Sequence, residues 1–139
     1  MSRVLVVDDD RGIRELLRVA LEAEGYAVST LSDGRGVVEW LAERREPCVA
    51  LMDLSMPHMT GWEVCARLAA NPAALGGHQL VILTAEPLSA AECPAPALKV
   101  VAKPFNLDAL CALVAGLFAL PAMSASSASP SSVAASALR

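Results

Sequence analysis

The chain has 139 residues, a formal net charge of −4 and 55% hydrophobic residues. That length suits one domain with a single core, although roughly a fifth of the residues are alanine, which dilutes the apolar content. The acidic balance, without a basic stripe or interleaved aromatics, argues against a nucleic-acid partner, and no apolar run is long enough for a membrane span.

The N-terminus enters an apolar run at once, which leaves no room for a leader, so a cytoplasmic protein is expected. Val4 to Asp10, VLVVDDD, reads as a buried strand closed by three acids. Ile13, Leu16, Leu17, Ala20 and Leu21 then recur at helical spacing, with Asp10 as N-cap and Gly25 as stop. Tyr26 to Leu31 is a second strand, and Ser32 or Asp33 is expected to cap a helix carrying Val37, Val38, Trp40 and Leu41. Val49 to Pro57, VALMDLSMP, is an apolar strand that ends on Asp53. Thr60 and Glu63 have the spacing of a capping box, which starts a helix ending near Asn71-Pro72. Leu75 to Gln79 reads as a loop, and Leu80 to Ala85 is a strand ending in Thr84.

The pattern then weakens. Ser89 to Glu92 has helix-start character, but Pro94 and Pro96 follow almost immediately, so one turn at most is expected. Lys99 to Pro104 is a strand ending in Lys103, and Asn106 caps a last helix with Leu107, Leu110, Cys111, Val114, Leu117 and Phe118 on one face. The other face is nearly uncharged, which suits either a partner surface or an alanine-rich helix in water. From Pro121 the composition turns to Ser, Ala and Pro, and segment 121–139 is expected to be a disordered tail. Strand and helix alternate five times, which predicts an α/β three-layer sandwich around a parallel sheet.

The four cysteines, Cys48, Cys65, Cys93 and Cys111, are widely spaced, so neither a zinc site nor a redox pair is indicated. Three fall on apolar faces, where cysteine acts as a small hydrophobe. His58 and His78 fall in loops and read as solvent-facing.

In a parallel sheet the ligand crevice lies beyond the carboxyl ends of the strands. Asp8, Asp9, Asp53, Thr84 and Lys103 would all gather there. Clustered carboxylates repel unless a cation intervenes, and such a cluster suits Mg²⁺. Lys103 supplies a point charge for phosphoryl oxygens, Thr84 and the Ala85 N–H supply hydrogen bonds, and a carboxylate is a competent nucleophile toward phosphorus. Taken singly, Asp8 to Asp10 would be a solvated turn, Thr84 a strand-end hydroxyl and Lys103 a surface lysine. Together they describe a phosphoryl-transfer site.

At this point the chain resembles the receiver domain of two-component response regulators, over 1–120. The resemblance rests on Asp8-Asp9 after VLVV, on Asp53 in DLSMPHMTG, on Thr84-Ala85 and on Lys103-Pro104-Phe105. It implies a flavodoxin-like five-stranded sheet of order 2-1-3-4-5, with Asp53 phosphorylated by a histidine kinase or phosphotransfer protein. It further implies Mg²⁺ held by Asp9, Asp53 and the backbone carbonyl of Ser55, with Asp8 acting through water. Thr84 and Lys103 would hold the phosphoryl group, and the Lys103-Pro104 bond would be cis. Such a chain is a phosphoacceptor rather than an enzyme beyond self-phosphorylation and slow autodephosphorylation. It would act on a downstream protein, with a homodimer through the fourth-helix/fifth-helix face as an option.

Two departures fall on the family's switching face. Val100 stands where the family usually has Tyr or Phe, and the interval from Thr84 to Lys103 is short and proline-rich. A docking module that works without phosphorylation is therefore the alternative. A phosphatase that forms an aspartyl phosphate would want a second acid at Ser55.

Overall fold

The computed structural model describes residues 2–120, so the expected tail at 121–139 lies outside the described residues. Five strands form one parallel sheet: β1 (Arg3–Val7), β2 (Ala27–Leu31), β3 (Val49–Met52), β4 (Gln79–Thr84) and β5 (Lys99–Ala102). Their order is β2-β1-β3-β4-β5, as expected. The helices are α1 (Arg11–Ala23), α2 (Val37–Ala42), α3 (Gly61–Ala70), α4 (Pro72–Leu75) and α5 (Leu107–Phe118). None of the described helices is long and apolar enough to cross a membrane.

Side chains alternate across a strand, so β1, β3 and β4 feed two separate cores. Leu5, Val7, Ala50, Met52, Leu80 and Ile82 pack with Val37, Val38 and Leu41 of α2, Val64, Cys65 and Leu68 of α3, and Ala74 of α4. Val4, Val6, Val49, Leu51, Val81 and Leu83 pack with Leu17 and Leu21 of α1 and Leu110 and Val114 of α5. Between their ends the central strands are apolar because both of their faces are covered. Each such Leu or Val contributes roughly 1.5–3 kcal/mol on leaving water.

The local start signals act as expected at three helices. Asp10 accepts from the Ile13 N–H at 3.1 Å, Asn106 from the Ala109 N–H at 2.8 Å, and Thr60 with Glu63 closes a reciprocal capping box. Between β4 and β5 only a 3-10 turn forms, Ala90–Glu92, so the fourth helix of the sequence pattern is reduced to one turn. Edge strand β5 is left partly uncovered, and Leu98 beside it is 57% exposed.

Three expectations are corrected. Helix α2 is capped by neither Ser32 nor Asp33; it starts after Gly36, whose φ of 84° few other residues adopt. The Asp33 carboxylate is taken by the Arg35 N–H at 2.7 Å and by the Arg35 guanidinium. The segment read as a loop from Leu75 is preceded by α4, because Pro72 at its first position both ends α3 and starts a new turn.

His78 is the third. It is buried, 6% exposed. Its Nδ1 accepts the Cys48 N–H at 3.0 Å, and its Nε2–H donates to the carbonyls of Leu41 at 2.8 Å and Arg44 at 3.2 Å. The ring satisfies the Cys48 N–H at the entry to β3 and adds a donor to the Leu41 carbonyl at the end of α2, which also accepts the Arg44 N–H at 3.2 Å. Cys48 and Cys65 are buried as expected, and burial pushes their thiols up to about 11 and about 12.

Candidate functional site

Parallel strands in register end at one edge, so the residue after each strand is delivered there. The ladder runs one residue past the strands: Asp8 N–H donates to Leu31 O at 3.1 Å, Asp53 N–H to Val7 O at 2.9 Å and Lys103 N–H to Thr84 O at 2.9 Å. These bonds set the height of three charged side chains. Asp8 and Asp53 are buried and Asp9 is exposed, and one carboxylate oxygen from each lies within 4.8 Å of the others.

Lys103 reaches into this cluster from the β5 end. Its Nζ is 2.6 Å from Asp8 Oδ2 and 3.1 Å from Asp53 Oδ2. The remaining oxygens are held by backbone amides: Asp8 Oδ1 by Asp10 N–H at 2.9 Å, and Asp53 Oδ1 by Leu54 N–H at 2.7 Å and Ser55 N–H at 3.3 Å. The Lys103-Pro104 peptide is cis, as expected, and so is Ala95-Pro96.

Burial raises the Asp8 carboxyl above its ordinary range, and the Lys103 ammonium and the Asp10 N–H only partly offset this. Burial acts to lower Lys103, but Asp8 and Asp53 outweigh it and hold the ammonium above its usual value. Three carboxylates against one ammonium leave two negative charges in a small volume. A hard divalent cation that takes oxygen ligands fits that donor set.

Thr84 is fully buried at the same edge, but its Oγ1 accepts the Glu86 N–H at 3.1 Å. Among the described residues this hydroxyl makes no hydrogen bond to the Asp53 carboxylate or to the Lys103 ammonium. Ser55 enters the site through its N–H. The loop after Asp53 is held close by Gly61: a Cβ there would lie 2.3 Å from the Asp53 carbonyl oxygen and 2.8 Å from Leu54 Cα. Gly34 N–H donates to Met59 O at 2.9 Å, tying the β2–α2 loop to this one.

One contact escapes sequence reading. Arg14, on the first turn of α1, places Nη1 2.8 Å from the Asp8 carbonyl oxygen. No spacing rule pairs a helical arginine with a backbone group six positions earlier.

The family model for the response regulator receiver domain matches residues 4–115. Response regulator MprA of Mycobacterium leprae is 36% identical over 118 residues, covering 83% of this chain and 50% of that protein. Response regulator MprA of Mycolicibacterium vanbaalenii is 46% identical over 66 residues, covering 48% of this chain and 28% of its own length. The chain thus spans half or less of these relatives. Among solved structures, chemotaxis response regulator CheY4 of Vibrio cholerae superposes with a TM-score of 0.71 at 28% identity, covering 84% of this chain and 98% of its own. Response regulator TrrA of Thermotoga maritima, solved in complex with Mg²⁺-BeF, gives 0.69 at 30% identity, covering 84% and 99%.

Proposed function

Because the chain belongs to the response regulator receiver domain family, we propose that Asp53 accepts a phosphoryl group from a phosphohistidine on a histidine kinase or phosphotransfer protein. The observation that carries this reading is the state of the Asp53 carboxylate. Oδ1 is occupied by two amides, and Oδ2 stands beside an ammonium and two further acids.

In the transfer, Oδ2 attacks phosphorus, the phosphorus–nitrogen bond breaks, and its electron pair stays with the departing imidazole. Lys103 can turn from the carboxylates to the phosphoryl oxygens, which carry the same sign of charge. Thr84 keeps its own hydroxyl proton to donate, since in this state its oxygen acts as an acceptor. Asp8, Asp9 and Asp53, with the Ser55 backbone carbonyl, would hold Mg²⁺. When bound, the ion neutralises phosphoryl charge and offsets the repulsion of the acids.

The new charge on Asp53 then biases a docking face for a downstream protein in the cytoplasm. The chain serves as a stoichiometric acceptor that also loses its phosphoryl group slowly. Whatever the longer relatives do with their remaining length is a property of those proteins.

Incubation with acetyl phosphate and Mg²⁺, followed by intact mass, tests the reading. Wild type gains one phosphoryl group that hydroxylamine removes, and Asp53→Asn gains none. An unmodified wild type, or an equally modified Asp53→Asn, would end it.

A second reading, docking without phosphorylation, draws on the single turn at Ala90–Glu92 and on Val100 in the switching region. Beryllofluoride with Mg²⁺ separates the two. Amide shifts that spread from Asp53 to β5 favour the switch, and shifts confined to the pocket favour the docking module.

A further inference from the structure

We infer that Arg14 is a positioning residue that sets the orientation of Asp9 by holding the Asp8–Asp9 peptide; the inference rests on the phosphoacceptor reading of the same pocket. Strand β1 ends at Val7, so the Asp8 carbonyl lies past the last rung of its ladder. Asp8 is only 1% exposed, and a carbonyl in such a place needs a donor. The Arg14 guanidinium is that donor, at 2.8 Å.

The peptide so held is the one whose nitrogen belongs to Asp9. A peptide unit is planar, so fixing its carbonyl fixes the plane from which the Asp9 Cα departs. Asp9 needs this more than its neighbours do. Asp8 accepts from Lys103 and the Asp10 N–H, and Asp53 accepts from Lys103 and two amides. The Asp9 carboxylate has no hydrogen bond among the described residues, so its place among the three acids depends on its backbone.

Arg14 is also free for the task. On the next turn Arg18 pairs with Glu15 and Glu22, whereas Arg14 has no carboxylate within salt-bridge distance among the described residues. Its one described side-chain hydrogen bond goes to the Asp8 carbonyl.

The test compares Arg14→Met, which keeps an apolar stem without a donor, with Arg14→Lys, which keeps a donor. Three readouts are taken: amide hydrogen exchange at Asp9 and Asp10 in metal-free protein, Mg²⁺ affinity by calorimetry, and the rate of phosphoryl uptake from acetyl phosphate. Arg14→Met should speed exchange at both amides and weaken Mg²⁺ binding about tenfold, the scale on which groups supporting metal ligands act. Uptake should slow in step. Arg14→Lys should recover most of each loss at a similar thermal midpoint. Wild-type Mg²⁺ affinity and exchange in Arg14→Met would overturn the positioning role while leaving the phosphoacceptor reading intact. Equal losses in both variants, tracking only a lower thermal midpoint, would also overturn it. A wild type that binds Mg²⁺ but takes no phosphoryl group would instead remove the reading on which the inference rests.

Discussion

Lys103 and Asp8, 95 positions apart in the chain, form an ion pair of 2.6 Å at the carboxyl edge of the sheet. Burial and pairing compete in it, and for Asp8 burial wins. A carboxyl raised in the folded state binds its proton more tightly there than in the unfolded chain, so its stabilising contribution is present at low pH and lost as pH rises through the folded value. Lys103 is raised as well, so its contribution holds at neutral pH and is lost only under alkaline conditions. Wild type should therefore gain stability relative to Asp8→Asn as pH falls from about 7 to about 4. Urea denaturation of both proteins over that range checks the sign, and a relative loss by wild type would contradict it.

The same charge balance predicts a dependence on divalent cation. Mg²⁺ that binds only the folded chain should stabilise it by about 2.7 kcal/mol at a hundredfold excess over its dissociation constant. Removing the ion with a chelator should lower the thermal midpoint reversibly. Asp9→Asn removes one negative charge from the cluster without touching the Lys103 ion pairs, so it should shrink that shift sharply. Equal Mg²⁺-induced shifts in wild type and Asp9→Asn would place the ion elsewhere.

Gly61 is the tightest approach at the site. An added Cβ would meet the Asp53 carbonyl oxygen at 2.3 Å and Leu54 Cα at 2.8 Å, both backbone, so neither can swing aside as a side chain would. Gly61→Ala must push the Asp53 segment or the start of α3. It should cost about 2 kcal/mol, within the range for overpacked interiors, and should slow phosphoryl uptake because Asp53 itself is displaced. A stable Gly61→Ala with wild-type uptake would show that the loop has slack.

Much of this site could be read from the chain because the information is local and the topology repeats. Asp8, Asp53 and Lys103 each follow an apolar strand, and parallel pairing carries all three to one edge without any long-range packing detail. The caps at Asp10, Thr60 and Asn106 were equally legible, since their partners lie within three residues. What the pattern missed is partly local competition between two signals and partly contacts made only in the folded chain. Asp33 looks like a cap, but an arginine two places on claims its carboxylate. Pro72 ends one helix and starts another, and proline signals both. Arg14 and His78 bond to backbone groups that only the folded chain brings near.

His78 yields the last prediction, because its position turns a residue that looks like a loop histidine into a fastening. It lies at the amino-terminal end of β4, across the sheet from Asp53, and bonds the Cys48 N–H, the Leu41 carbonyl and the Arg44 carbonyl. His78→Ala leaves the buried Cys48 N–H without its partner and takes one donor from the Leu41 carbonyl, which keeps the Arg44 N–H, so a cost of about 2 kcal/mol is expected. Gln offers a donor and an acceptor but on a differently shaped chain, and should recover part of this. Cys48 lies against the same ring, its thiol held up at about 11 by burial, and should be slow to alkylate in wild type. Opening the site should make Cys48 the first of the two buried cysteines to react, which peptide mass mapping after iodoacetamide can resolve. Phosphoryl uptake per folded molecule should stay at the wild-type rate, because no bond of His78 reaches the acidic edge. If uptake falls in His78→Ala while the protein remains folded, the two ends of the sheet are coupled in a way this packing does not explain.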